Sequence, residues 1–112
     1  MNQRAQYNDL GGKDLNDLIL ESNRIPIVLV FTADWLGSAH IMDTFMDDFA
    51  MEYEEKLCFY RQDIEQDNKI SLEIGIRQLP TTVIFHKGHI VQYFSGVLSK
   101  RKIREKLASA LL

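Results

Sequence analysis

The sequence predicts an α/β fold. Residues 25–31 form an uninterrupted apolar run, IPIVLVF, which ends in a short turn, and a helical pattern begins immediately after that turn. A run without polar alternation is typical of a strand that is buried on both faces, as in a parallel sheet. Residues 57–64 form the next strand, so strand, helix and strand make a βαβ unit with a right-handed connection. Residues 82–85 and 90–94 flank the turn HKGH and add a hairpin.

Length and composition indicate one domain. The chain has 112 residues, 46% of them hydrophobic, which is sufficient for one core, and we expect a single domain over residues 1–112. The 13 basic and 16 acidic residues are well mixed and leave a net charge of −3, so no basic stripe predicts nucleic-acid binding. No apolar run approaches the roughly 18 residues of a membrane span, and the first residues contain no signal segment. We therefore expect a soluble, cytoplasmic protein that binds neither nucleic acid nor membrane.

The N-terminal part of the chain begins without a clear element. Residues 1–8 are polar, and we expect them to form a loose tail. Residues 13–23 predict a short amphipathic helix, because apolar side chains recur there at helical spacing: Leu15, Leu18 and Ile19. Pro26 then opens the central strand, where a missing backbone donor is tolerated.

A helix is predicted over residues 38–55, directly after the turn. Ser38 is placed to serve as its N-cap. Its apolar stripe has i, i+4, i+8 spacing and consists of Ile41, Met42, Phe45, Met46, Phe49 and Tyr53. This periodicity is that of a core helix, so we interpret the methionines and aromatics as packing and not as a cofactor site.

Two further helices are predicted in the second half of the chain. Residues 67–75 form a short helix that ends at Gly75 as its C-cap. Ser99 caps a last amphipathic helix, whose inward side chains are Ile103, Leu107 and Leu111 and whose outward side chains are mostly basic.

Three motifs resemble the thioredoxin family. The loop ADWLGSAH is similar to the family's active-site loop, (A/E)WCGPC(K/R), the segment GIRQLPTTVIFHKG is similar to GIRxIPTxxxFxxG, and GVLSKRKIREKL resembles the closing Gly and final helix. The second motif is the more specific of the first two. The resemblance implies a thioredoxin-like fold, with a central mixed β-sheet flanked by helices on both faces and a cis peptide bond before Pro80. In this alignment, Val30 occupies the position of a buried Asp that serves the thiol chemistry.

The resemblance also assigns the candidate site. Leu36 and Ala39 stand where the family has its two redox cysteines, with Gly37 and Ser38 between them and Ser38 at the position of a proline. Thioredoxins hold an extended partner peptide in a shallow groove next to this loop. Here the residues that the resemblance places along that groove are Trp35, Leu36, Leu79, Pro80, Gly96 and Val97.

No catalytic residue is predicted. Thiol exchange needs a nucleophilic thiolate and a resolving thiol, and Leu36 and Ala39 supply neither. Ser38 could act as a nucleophile, but no His or carboxylate is visibly placed to activate it, so we favour the cap. Cys58 is the one cysteine, which fits a reducing compartment, and it is the remaining redox candidate. It lies in a strand away from a helix N-terminus, so packing as a small hydrophobe is the preferred interpretation.

Neither a metal nor a cofactor is expected. The three histidines, His40, His86 and His89, fall on a helix and a hairpin and are interpreted as surface residues. The leading hypothesis is a redox-inactive thioredoxin-like protein that binds or escorts a protein partner through the groove. The alternative is a thioredoxin-lineage oxidoreductase in cell redox homeostasis that uses Cys58. A third hypothesis is a subunit whose groove is permanently occupied in a complex.

Overall fold

The computed structural model describes residues 7–112, which form one five-stranded sheet and four helices. The strands are β1 (Tyr7–Asp9), β2 (Ile27–Thr32), β3 (Cys58–Asp63), β4 (Thr81–His86) and β5 (His89–Ser95). The helices are α1 (Leu15–Glu21), α2 (Ala39–Glu52), α3 (Lys69–Ile74) and α4 (Lys100–Ser109). Among the described residues, no helix is long and apolar enough to cross a membrane.

The sheet is mixed, as the family resemblance implied. Its strand order is β1-β3-β2-β4-β5; β1, β3 and β2 are parallel, whereas β4 and β5 run antiparallel to their neighbours. All six residues of β2 are buried, which explains why the central strand carries an apolar run without alternation. The predicted βαβ unit and the hairpin are both confirmed.

Helices cover both faces of the sheet and create two cores. Val28 and Val30 of β2 point to the face covered by α2 and α4, whose buried side chains include Met42, Met46, Phe49, Ile103 and Leu107. Ile27, Leu29 and Phe31 point to the opposite face, where they join Leu18 of α1 and Ile70 of α3. One strand thus supplies both cores, because successive side chains of a strand alternate between faces.

The hairpin and the short helix end as predicted. Lys87 and Gly88 connect β4 to β5 with φ angles of 54° and 82°. Two central residues with positive φ are the signature of the tight hairpin turn whose twist matches that of its strands. Gly75 has φ 91° at the C-cap of α3, where a left-handed residue closes the helix.

Three predictions about the N-terminal tail and the buried helix faces are wrong in detail. Tyr7 and Asn8 are not a loose tail: they belong to β1 and pair with Phe59 and Tyr60 of β3, while the rest of the predicted tail lies outside the described residues.

Ile41 was assigned to the buried stripe of α2 but is 51% exposed. It precedes the buried Met42 by one residue, and one residue turns a helix by about 100°. Leu111 is 37% exposed, because α4 has already ended.

Candidate functional site

Three loops meet at one edge of the sheet. Phe31, near the end of β2, pairs with Thr81 at the start of β4, and Thr81 pairs with Ser95 at the end of β5. The loop after β2, the residues before β4 and the residues after β5 therefore lie next to one another at that edge. These loops contain the predicted groove residues, namely Trp35, Leu36, Leu79, Pro80, Gly96 and Val97.

Pro80 lies in the segment before β4, which is the middle one of the three. The Leu79–Pro80 peptide bond is cis, as predicted. The Pro80 side chain is buried, and its carbonyl oxygen accepts a hydrogen bond of 2.7 Å from the backbone N–H of Gly96. Gly96 has φ 81°, a left-handed conformation that a glycine adopts without steric cost. The Thr81 hydroxyl lies 2.7 Å from the carbonyl oxygen of Gln78, to which it donates, and so fixes the chain just before the proline.

Trp35 is the most exposed member of the predicted groove. Its side chain is 63% exposed, and its Nε1–H donates a hydrogen bond of 2.8 Å to a carboxylate oxygen of Glu65. The indole therefore faces solvent in a defined orientation. Leu36, Leu79 and Val97 are half-buried, so they contribute apolar surface at the same edge without projecting from it.

The two positions of the lost cysteines differ in accessibility. The loop makes tight turns, in which Leu36 N–H bonds to Ala33 O at 3.1 Å and Ala39 N–H bonds to Leu36 O at 3.0 Å. Leu36 stays half-buried, whereas Ala39 is 2% exposed and packs beneath the loop as the first residue of α2. Of the two motif positions, the one nearer the surface thus carries Leu36, which has a larger apolar side chain than Ala39.

Ser38 does not cap the helix through its side chain, so this prediction is wrong. It stands at the N-cap position, but its backbone is helical, with φ −75° and ψ −9°. A capping hydroxyl needs an extended backbone to reach the N–H groups of the first turn. Ser99 has that backbone, with ψ 154°, and its hydroxyl accepts from Lys102 N–H as predicted.

The region beneath the loop has Val30 at the position where the resemblance places a buried acid, and polar side chains lie around it. Val30 is fully buried and pairs in register with Arg61 on β3 and with Thr82 on β4. The hydroxyls of Thr32 and Thr82 are buried, and no hydrogen-bond partner is found for them within residues 7–112. The position that the resemblance assigns to a carboxylate is therefore occupied by the apolar Val30, whose neighbours in the sheet are polar.

Arg61 was missed by the sequence analysis and connects three elements near the loop. Its guanidinium lies 3.0 Å from Asp34 at the start of the loop, 3.1 Å from Asp43 in α2 and 3.6 Å from Asp9 at the end of β1. Burial lowers the pKa of Arg61, but the hydrogen bonds to Asp34 and Asp43 outweigh burial and raise that pKa above its usual range. The sequence did contain a signal for this network: Arg61 is a basic residue within a strand that was predicted to be buried, and a buried charge requires oppositely charged partners.

Cys58 lies far from the loop. It pairs with Ile27 at the beginning of β2, whereas the loop follows the end of β2, five residues along the sheet and hence about 17 Å away. Burial raises the pKa of the Cys58 thiol, and a hydrogen bond with Tyr60 offsets only part of that effect. The half-buried thiol is therefore a weaker nucleophile than an ordinary cysteine at neutral pH.

The histidines do not come together with other potential metal ligands. His86 and His89 face each other in the hairpin, at the end of β4 opposite the loop, and His40 is exposed on α2. Within residues 7–112, no three His, Cys, Asp or Glu side chains form a group suited to a metal ion. A concavity of about 280 Å³ lies beside Arg61 and between Asp9 and Asp67, and none of the predicted groove residues lines it.

Known proteins resemble this chain over most of its length. It is 28% identical to "Thioredoxin M-type, chloroplastic" of Chlamydomonas reinhardtii over 100 residues, which are 89% of this chain and 71% of that protein. It is 30% identical to a thioredoxin of Griffithsia pacifica over 90 residues, which are 80% of this chain and 83% of that protein.

A solved structure shares the whole fold. Thioredoxin of Malassezia sympodialis (Mala s 13) superposes with a TM-score of 0.82 at 19% identity, covering 100% of this chain and 96% of that one. The family model described as Thioredoxin matches residues 9–109, a span that includes the loop, the cis proline and the whole of the last helix. The chain therefore belongs to the thioredoxin family.

Proposed function

We propose that this chain is a redox-inactive thioredoxin-like protein that binds, and thereby holds or escorts, an extended segment of a partner protein. The observation that carries the proposal is the loop itself. Its indole remains 63% exposed, while both motif positions carry apolar side chains and no sulfur. A loop that has lost its thiols but still presents an aromatic anchor is suited to noncovalent recognition.

The surroundings of Trp35 support this mode of binding. Leu36, Leu79 and Val97 add half-buried apolar surface at the same edge of the sheet. The backbone N–H and carbonyl groups of Leu79 have no hydrogen-bond partner within the described residues. An extended peptide could pair with those groups as an added strand, with its side chains against Trp35 and Val97.

The alternative is an oxidoreductase in cell redox homeostasis that uses Cys58. Reduction of a protein disulfide by a single thiol would stop at the mixed disulfide, because a second thiol is needed to resolve it. Cys58 is also about 17 Å along the sheet from the loop, and burial raises its pKa. These observations favour the binding role. A cytoplasmic location is part of the proposal, and a single unpaired cysteine is consistent with a reducing compartment.

The test is selection of binders from a displayed random peptide library, followed by NMR titration of the selected peptides. We expect the Trp35 indole N–H and the amides of Leu79, Gly96 and Val97 to shift on titration. Leu72→Ala is the matched control, because Leu72 is 70% exposed on α3 and does not belong to the groove. Selected peptides that shift only residues outside the groove would refute the proposed site.

A further hypothesis concerns the state of the groove in the cell. If the chain is a subunit with a permanently occupied groove, it will elute with a partner at a defined stoichiometry and will release that partner slowly. If it binds transiently, it will elute as the free chain. Size measurement of the protein from its native cytoplasm separates these two forms of the binding role.

A further inference from the structure

One guanidinium is tied to both sides of the Trp35 loop. Asp34 immediately precedes Trp35, and its carboxylate lies 3.0 Å from Nη2 of Arg61. Asp43 follows the loop in α2, and its carboxylate lies 3.1 Å from Nε of the same arginine. Two different nitrogens of Arg61 thus bond to residues on the entry and exit sides of the loop.

Arg61 is itself held firmly. It lies in β3, which pairs with β1 on one side and β2 on the other, so its backbone is within the sheet and not at an edge. Its side chain is 18% exposed, whereas that of Asp34 is 73% exposed. Arg61 is thus the better-buried member of the pair, so we expect the contact to restrain the loop more than it restrains the strand.

The same strand provides a second tie to the loop. Glu65 lies two residues beyond β3 and accepts the Trp35 Nε1–H at 2.8 Å. Its own backbone N–H donates to the Asp63 carboxylate at 2.8 Å, which fixes the position of Glu65. Asp34 and Trp35, two successive loop residues, are therefore both hydrogen-bonded to side chains at the carboxyl end of β3.

We infer that Arg61 is a positioning residue, which holds the Trp35 loop in one conformation before a partner arrives. The inference rests on the proposed function, since a preformed loop matters for binding only if the loop is the binding surface. A loop that is already ordered loses little conformational entropy when the partner binds. The smaller entropy loss makes the binding free energy more favourable. The planar guanidinium suits this role because it can bond to two carboxylates in fixed directions, which a lysine ammonium does less well.

The experiment uses Trp35 as the reporter, because it is the single tryptophan of the chain. Acrylamide quenching and time-resolved anisotropy of Trp35 are measured in the free protein and in two variants. Arg61→Met removes the anchor, and Asp34→Ala removes the carboxylate on the loop side of the same contact, at an exposed position that does not endanger folding. We expect both variants to increase the quenching constant by about twofold and to shorten the slow anisotropy decay, because the loop moves more freely.

Two further variants provide the controls. Arg61→Lys keeps the positive charge but not the two-pronged contact, and we expect it to restore only part of the wild-type anisotropy. Arg104→Met removes a comparable arginine–carboxylate pair, with Glu52, on the far side of α2 and α4, and should leave Trp35 unchanged. Thermal unfolding of each variant shows whether a change in fluorescence is separate from a loss of stability.

The outcomes distinguish the two proposals. Unchanged quenching and anisotropy in both Asp34→Ala and a folded Arg61→Met would overturn the positioning role, even if peptides bind at the groove. If Arg61→Met fails to fold, Asp34→Ala alone decides the question by the same criterion. A loosened loop in a protein that binds no peptide would support the anchoring by Arg61 and would count against the proposed function alone.

Discussion

Val30 and Arg61 are neighbours in the sheet, paired in register between β2 and β3 on the face covered by α2. The apolar residue that replaces the family's buried acid therefore has a basic residue next to it. Arg61 directs its guanidinium to Asp9, Asp34 and Asp43 at the surface end of this face. An acid introduced at position 30 would therefore lie beside an arginine that is already paired with three carboxylates, and not in an exclusively apolar environment.

The double variant Leu36→Cys with Ala39→Cys should form a disulfide. The bond from Ala39 N–H to Leu36 O closes a helical turn, which brings the two Cα atoms within the roughly 4.4–6.8 Å that a disulfide spans. Reduction of insulin by this variant should be slow, because position 30 offers no carboxylate to accept a proton. Thiol titration measures closure, and an insulin turbidity assay measures the rate.

Adding Val30→Asp to the double variant should increase that rate. The hydroxyls of Thr32 and Thr82, for which no hydrogen-bond partner is found within residues 7–112, lie on the same face of the sheet as position 30 and can donate to the new carboxylate. We expect a loss of stability of about 2 kcal/mol, less than for an unpaired buried acid. Equal rates with and without the new Asp would mean that this carboxylate is irrelevant on this scaffold.

The unmodified protein should not catalyse reduction of insulin disulfides. Its single thiol can form a mixed disulfide but cannot resolve it, and burial raises the pKa of Cys58. The comparison is with Cys58→Ser and with buffer alone. Turnover that disappears in Cys58→Ser would contradict this prediction and would favour the oxidoreductase alternative.

Trp35→Ala should weaken binding of a selected peptide by about 2 kcal/mol, since an exposed aromatic that borders a binding groove is a typical hot spot. Its exposure also means that the melting temperature should change little. Calorimetric titration gives the affinity. Leu72→Ala, an exposed apolar residue on α3, should bind with the affinity of the wild type.

Asp47→Asn should stabilise the protein at neutral pH, by less than about 1 kcal/mol as expected at a surface site. Burial and the neighbouring charges of Asp43 and Asp48 raise the pKa of Asp47, so its ionisation costs more in the folded state. A raised carboxyl pKa reduces stability as the pH rises through the interval between the unfolded and folded pKa values. The gain from Asp47→Asn should therefore vanish in acid below both values.

The neighbouring residue on α2 provides the control. Asp48 accepts a hydrogen bond of 2.8 Å from Lys100 of α4, so Asp48→Asn loses an ion pair while it also removes a negative charge. Thermal melts of both variants at neutral and acidic pH give the comparison. Stabilisation by Asp48→Asn equal to that by Asp47→Asn would mean that net charge alone, and not the local environment of Asp47, controls the effect.

The parts of the fold that were predicted have strong local signals. The apolar run of β2 can be buried only in the middle of a sheet, and the residues LPTT, which lead into β4, identified the cis proline through the family resemblance. The hairpin followed from Gly88 in the turn. These features depend on few neighbours in sequence, which is why the sequence sufficed.

The parts that were missed depend on contacts between distant segments. β1 has only three residues, too few for a periodic pattern, and it is a strand because β3 pairs with it. The partners of Arg61 come from β1, the loop and α2, so the network appears only when the sheet register is known. Ser38 was predicted to cap α2 from its residue type, but the cap depends on a backbone angle that the loop determines.

The location of Cys58 makes the molecule convenient for optical distance measurement. Its lone thiol and lone indole lie toward opposite ends of the sheet, with about 17 Å of β2 between the register position of Cys58 and the start of the Trp35 loop, so an acceptor dye on Cys58 would receive energy from Trp35. Because burial raises the thiol pKa, coupling of the dye should require alkaline buffer. The transfer efficiency would then report movements of the loop in the unmodified backbone, without a mutation near the groove.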